Sequence, residues 1–250
     1  MSDSLSATTI TLIGTDGADL EAYFARPDGE HTRGGVVVIH HMPGYDRATK
    51  EIVRRFAELG YDAICPNLHY REAPGAAPDD AAAATRARGG VPDERLVGDV
   101  GAAAAYLRSL PTSNGRAGVI GYCSGGRQSV LAACRLDLDA AVDCYGAFVT
   151  GEPPADFPLQ VKNLVDELPR LSAPLLGLFG AQDRTPSPEQ VAELDARLTG
   201  LGKPHEFHTY DDTGHAFFAI DRPAYRPAAA VDGWERIATF FGTHLSTEGA

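Results

Sequence analysis

Cys123 lies in the run Gly121-Tyr122-Cys123-Ser124-Gly125-Gly126, framed by glycines two residues away on either side. That spacing suits a nucleophile carried on a sharp strand-to-helix turn, the nucleophile elbow. Residues 116–120, short, apolar and partly β-branched, predict a buried strand ahead of it, and residues 128–134 predict a helix after it. A nucleophile in such a turn has a strained backbone, so its neighbours must be small. The helix N-terminus favours a thiolate over a thiol. A thiolate can attack an acyl carbon if an imidazole handles protons and a carboxylate orients the imidazole. Asp183, in Gly180-Ala181-Gln182-Asp183, and His215, in Asp212-Thr213-Gly214-His215, follow Cys123 in the order nucleophile, acid, base. Singly each has a plain reading: a buried cysteine in a glycine-rich turn, an aspartate capping a turn, a solvated loop histidine. Together, each after a predicted strand, they read as a triad.

The elements that must position these residues alternate. Residues 8–13 and 20–25 alternate apolar and polar around Thr15-Asp16-Gly17, which predicts an N-terminal antiparallel hairpin. Residues 35–39 are a continuous Val/Ile run, a strand buried on both faces, and it ends in His40-His41-Met42-Pro43-Gly44. Asp46 is placed to cap a helix running to about residue 59. Further strands are predicted at 62–65, 140–145, 174–179 and 204–210, and helices at 92–110, 188–201 and 226–244. Residues 66–90, rich in Pro, Gly, Ala and Asp, predict a lid or substrate loop with a short helix at 82–88. The expectation is an α/β fold with a mostly parallel, doubly wound sheet, residues 1–250 forming one domain. In such a sheet ligands bind at the C-terminal edge of the strands, where all three candidates fall.

Composition narrows the partners. The chain has 250 residues and a net charge of -12, which disfavours nucleic acid and anionic membrane surfaces. No apolar run is long enough to span a bilayer, and residues 1–9 lack the basic and apolar regions of a signal peptide, so a cytoplasmic location is expected. The four cysteines match no zinc spacing. His40, His41 and His69 have no carboxylate or thiol at ligand spacing, so neither metal nor cofactor is expected. The oxyanion of an acyl-transfer intermediate would be met by the backbone N–H groups of Ser124 and Met42, since Pro43 has none. Arg71, in the long loop, is a plausible anion ligand. Two other readings are a thiol-based redox or peroxide-handling protein and a non-catalytic ligand-binding module on the same fold.

From about residue 36 to residue 241 the chain resembles the dienelactone hydrolases (carboxymethylenebutenolidases), a family of the α/β-hydrolase superfamily. The resemblance rests on Gly121-Tyr122-Cys123-x-Gly125-Gly126, Gly180-x-Gln182-Asp183, Gly214-His215-x-Phe217, Cys65-Pro66-x-Leu68 with Arg71-x-Ala73-Pro74-Gly75, and Tyr145-Gly146. It implies the triad Cys123, Asp183 and His215, a small ester or lactone substrate, Arg71 on a substrate carboxylate, and Tyr145 in the pocket wall. The chain departs from the pattern twice. The family glutamate after the 35–39 strand is His41 here, and an arginine four residues after the catalytic histidine is Ala219, for which Arg222 or Arg127 could substitute.

Overall fold

The computed structural model describes residues 5–246; the first and last four residues, part of the expected 1–250 domain and of the N-terminal segment read above, lie outside the described residues. Eight strands form one sheet: β1 (Leu5–Ile13), β2 (Asp19–Pro27), β3 (Arg33–Ile39), β4 (Asp62–Pro66), β5 (Ser113–Tyr122), β6 (Ala140–Cys144), β7 (Leu175–Gly180) and β8 (His205–Tyr210). Their spatial order is β1-β2-β4-β3-β5-β6-β7-β8. The expected hairpin is present: β1 and β2 pair antiparallel, β2 runs antiparallel to β4, and every later pair is parallel. The chain therefore has the α/β-hydrolase fold.

Among the described residues six α-helices accompany the sheet: α1 (Arg47–Glu58), α2 (Pro78–Ala87), α3 (Asp93–Ser109), α4 (Ser124–Arg135), α5 (Pro188–Gly200) and α6 (Pro227–Leu245). The central strands are buried on both faces, so consecutive residues feed opposite layers. In β3, Val37 and Ile39 join Leu96 and Leu107 of α3 and Leu131 of α4, while Val36 and Val38 join Phe56 of α1 and Trp234 and Phe241 of α6. The same alternation separates Val119 from Ile120 in β5 and Leu175 from Leu176 in β7. This two-sided burial makes the sheet a rigid platform for the loops at its C-terminal edge.

Local chemistry sets the helix starts. Asp46 caps α1 as expected, accepting from the Thr49 N–H at 2.8 Å. Ser187 and Gln190 form a capping box on α5. Helix α4 begins at Ser124, directly after Cys123, rather than near residue 128. In the 66–90 segment the helix is longer than expected and starts at Pro78, a favoured first-turn residue. Among the described residues no helix is long and apolar enough to cross a membrane.

Candidate active site

Cys123 follows β5 with φ 56° and ψ -120°, a left-handed conformation costly for any residue with a Cβ. The flanking glycines make it possible. A Cβ at Gly121 would lie 1.8 Å from the Gly125 carbonyl oxygen, and one at Gly125 would lie 2.4 Å from that of Ile39. The Cys123 N–H donates to the Cys144 carbonyl at 3.0 Å, tying the elbow to β6, and the side chain is half-buried. Five non-glycine residues among those described have positive φ: Tyr45, Cys123, Tyr145, Phe148 and Ala216. All but Tyr45 line the cavities around the thiol, so backbone strain is concentrated there.

Asp183 and His215 meet because the loops after β7 and β8 are laced together. The Ala181 N–H donates to the Tyr210 carbonyl and the Gln182 N–H to the Thr213 carbonyl, each at 2.9 Å. A side chain at Gly180 would strike the Thr213 carbonyl oxygen at 2.3 Å, so glycine permits this approach. The result is a 2.7 Å bond between His215 Nδ1 and Asp183 Oδ2, with Asp183 Oδ1 accepting from the Thr185 N–H at 2.9 Å. Nδ1 is the donor to the carboxylate, which leaves Nε2 for the Cys123 side. Burial draws the His215 pKa down, but the Asp183 carboxylate and the Cys123 sulfur outweigh it and push it up to about 10. Tyr145, buried, sets its ring edge-on to His215 with centroids 5.0 Å apart.

Two cavities meet at Cys123. The larger, about 540 Å³, is lined by Ile52, Tyr145, His215, Phe218, Arg222 and Trp234 among others. The smaller, about 280 Å³, is lined by His69, Arg86, Ser124, Gln128, Phe148 and Leu159 among others. His41 and Met42 wall both. As the first residue of α4, Ser124 has an N–H with no partner inside the helix, and Met42 lies in the loop after β3.

The three early histidines differ in role. His40 is 3% exposed: its Nε2 accepts from the Leu68 N–H at 3.1 Å, so Nδ1 donates to the His41 carbonyl at 2.8 Å. Burial pushes its pKa down to about 3, and it acts as a neutral brace between the β3 loop and residues 67–70. His41 has Nε2 3.5 Å from Asp46 Oδ2. Burial lowers its pKa, against the pull of Asp46, so it brings no positive charge to the thiol at neutral pH. His69 is buried in the smaller cavity and likewise held neutral.

The arginines expected to bind substrate are not equivalent. Arg71 lines neither cavity. Its guanidinium is held by Asp99 at 2.7 and 3.0 Å and by Asp16 at 2.7 and 2.9 Å, because the fully buried Asp99 carboxylate needs a cation. The structure thus corrects its assignment to the substrate. Arg127 borders the smaller cavity, but its buried guanidinium is spent on Asp93, at 3.0 Å through both nitrogens, and on the Lys162 carbonyl. Arg222 lines the larger cavity beside His41 and makes no ion pair within 4.0 Å among the described residues. The same holds for Arg86 on the smaller cavity, a residue that sequence reasoning passed over. Nothing in its local pattern separates it from the other polar residues of α2.

Cys65, Cys134 and Cys144 are buried, and burial raises all three thiols, Cys134 to about 12. None is a ready partner for thiol exchange, which removes support from the redox reading.

Fold and site define an α/β-hydrolase. Residues 20–245 match the model of the dienelactone hydrolase family, and the chain belongs to that family, whose members hydrolyse ester or lactone bonds. It is 34% identical over 253 residues to a Salmonella typhimurium protein provisionally named a carboxymethylenebutenolidase, covering 99% of this chain and 91% of the relative. A carboxymethylenebutenolidase of Pseudomonas putida is 29% identical, with 90% of this chain and 95% of that one covered. A crystal structure from Klebsiella pneumoniae, provisionally described as a dienelactone hydrolase, superposes with a TM-score of 0.84 at 27% identity, covering 96% of this chain and 99% of that one.

Proposed function

We propose that this hydrolase cleaves small esters or lactones through Cys123, His215 and Asp183, with a thioester intermediate. The observation that carries the reading is the 2.7 Å His215–Asp183 bond beside a cysteine held in a strained elbow. As the reaction begins, His215 takes the thiol proton and becomes an imidazolium. The Cys123 sulfur attacks the substrate carbonyl carbon, and the electron pair moves onto oxygen, where the N–H groups of Ser124 and Met42 stabilise it. Collapse breaks the bond to the alcohol oxygen, which takes the proton from His215 Nε2. Neutral His215 then draws a proton from water as its oxygen attacks the thioester. Collapse of that second intermediate releases the acid and returns the thiolate–imidazolium pair.

For substrates that bear a carboxylate, Arg222 takes the role first given to Arg71, because its charge is unpaired and faces the cavity that holds His215. The test is turnover of p-nitrophenyl esters and simple lactones, with mass spectrometry of the quenched enzyme. The expected result is an acyl adduct on Cys123 and no turnover by Cys123→Ala. Full turnover by Cys123→Ala would overturn the reading.

A further inference from the structure

The cavity lined by both Cys123 and His215 is larger than a simple lactone ring needs. At about 540 Å³ it falls in the range, roughly 300–1,000 Å³, that encloses a drug-sized ligand. A simple lactone would leave much of it to water, and apolar walls are stabilised when water is displaced from them.

One side of this cavity is a run of aromatic rings that begins at the reacting imidazole. Tyr145 lies 5.0 Å from His215 between ring centroids, Phe218 lies 6.3 Å from Tyr145, and Trp234 lies edge-on 6.1 Å from Phe218. Tyr145, Phe218 and Trp234 all line the cavity. The run is packed in place: Phe217 stacks on Phe218 at 4.7 Å, and the Arg55 guanidinium carbon sits 4.1 Å from the centre of the Trp234 ring. The half-buried Ile52 and the 71% exposed Ile220 add apolar surface that a guest can reach. Ala48, Ala219 and Ala224, also on the wall, keep the space open with short side chains.

The charged groups of the same wall are mostly engaged elsewhere. Asp46 caps α1 and lies 3.5 Å from His41, Glu51 accepts from Arg54, and Arg55 covers Trp234. Asp221 and Arg222, adjacent and opposite in charge, remain exposed. A substrate group laid along the aromatic run therefore meets carbon rather than hydrogen-bonding atoms.

We infer that the preferred substrates, cyclic or open-chain, carry an aryl group beside the scissile acyl bond, and that this ring packs in the larger cavity along Tyr145, Phe218 and Trp234. An aromatic guest gains from offset or edge-on ring contacts beyond what its buried area supplies. The inference rests on Cys123 and His215 as the reacting groups and goes past them to the shape of the substrate. It holds whichever side of the bond bears the ring.

Three substrate pairs test it in the wild-type enzyme, each replacing a methyl group by phenyl. They are ethyl and benzyl acetate, methyl propanoate and methyl phenylacetate, and γ-methyl- and γ-phenyl-γ-butyrolactone. Release of acid is followed at constant pH, and each kcat/KM is divided by the alkaline hydrolysis rate of the same compound to remove intrinsic reactivity. In at least one pair the phenyl compound is expected to be better by roughly tenfold or more, the size of effect that added packed groups supply in an apolar pocket. Two variants then locate the ring. Phe218→Leu keeps the wall apolar but removes one ring, and Ala48→Trp fills part of the cavity from a half-buried position. Each should lower the ratio in the responding pair. Ratios below tenfold in all three pairs, with Cys123 still acylated, would overturn the inference and leave the mechanism standing, as would a ratio that neither variant lowers. Failure to acylate Cys123 with any ester or lactone would overturn the mechanism and the inference with it.

Discussion

His215 Nδ1 and Asp183 Oδ2 lie 2.7 Å apart, joined across two loops that are themselves laced by backbone hydrogen bonds. The carboxylate is one of the groups that raise the imidazole to about 10, so its removal should be felt in both rate and titration. Asp183→Asn is expected to lower kcat by about 10⁴, the loss found when the tautomer of a triad histidine is no longer held. The protonated imidazole stabilises the fold fully below its unfolded pKa of about 6.5, and that contribution fades as pH rises through about 10. In Asp183→Asn the fade moves to lower pH, which NMR titration of His215 would record. A kcat loss under about tenfold would transfer the orienting role to another carboxylate.

The four thiols should react very unequally. Cys65, Cys134 and Cys144 are buried and pushed up, whereas Cys123 is half-buried and sits beside a protonated imidazole. Iodoacetamide at neutral pH should modify Cys123 alone in the native enzyme and all four cysteines in denaturant. Peptide mass mapping reads the result directly, and labelling of any other cysteine at a comparable rate would contradict the assignment.

Sequence and structure agree where the determinants are local. The elbow is legible because its glycines and cysteine lie within six consecutive residues, and the strands because β-branched runs announce burial. Arg71 was misread for the opposite reason: its partners Asp16 and Asp99 lie 55 and 28 residues away, and only the folded chain shows that its charge is already used. Arg86 went unnoticed because the smaller cavity is assembled from six separate stretches of chain, and the stretch that carries Arg86 has no motif of its own.

Arg71 and Arg222 should accordingly fail in different ways. Arg71→Ala strips the partner from the fully buried Asp99 carboxylate and should cost about 3 kcal/mol of stability or more, with little change in KM. Arg222→Ala should leave the melting temperature almost unmoved and raise KM for a carboxylate-bearing ester more than for its neutral methyl ester. Thermal denaturation and steady-state kinetics on the two variants separate the roles, and a stable Arg71→Ala enzyme with a carboxylate-specific KM defect would reinstate the first assignment.

The resemblance puts His41 at the position where the family pattern has a glutamate. Because burial keeps it neutral, it acts at the thiol by carrying no negative charge, not by adding a positive one. His41→Gln should therefore keep the wild-type pH profile of Cys123 alkylation. His41→Glu places a carboxylate in the wall shared by both cavities and should shift the profile upward, since a like charge opposes thiolate formation. If Gln and Glu shift the profile equally, charge at this position is not what controls the sulfur.

Asp143, beneath the elbow, supplies a stability test that is independent of turnover. Its side chain is fully buried on β6, with Oδ1 accepting from the Gly146 N–H at 2.7 Å and Oδ2 unpartnered. The carboxyl packs tightly against the start of α4, for a Cβ at Gly126 would lie 2.3 Å from Oδ1. Burial, opposed by the Gly146 hydrogen bond and by His215, pushes its pKa up to about 7. The folded chain thus keeps this proton between about pH 4 and pH 7 while the unfolded chain releases it. Stability must fall as pH rises across that window, by at most about 4 kcal/mol once pH exceeds 7. Asparagine has nearly the same shape, keeps an acceptor for Gly146 and cannot ionise. Asp143→Asn should match the wild type in thermal stability near pH 4.5 and exceed it near pH 8.5, where the wild type bears a buried negative charge. Melting curves that stay parallel from pH 4.5 to pH 8.5 would show that Asp143 does not change its charge across this range in the folded enzyme.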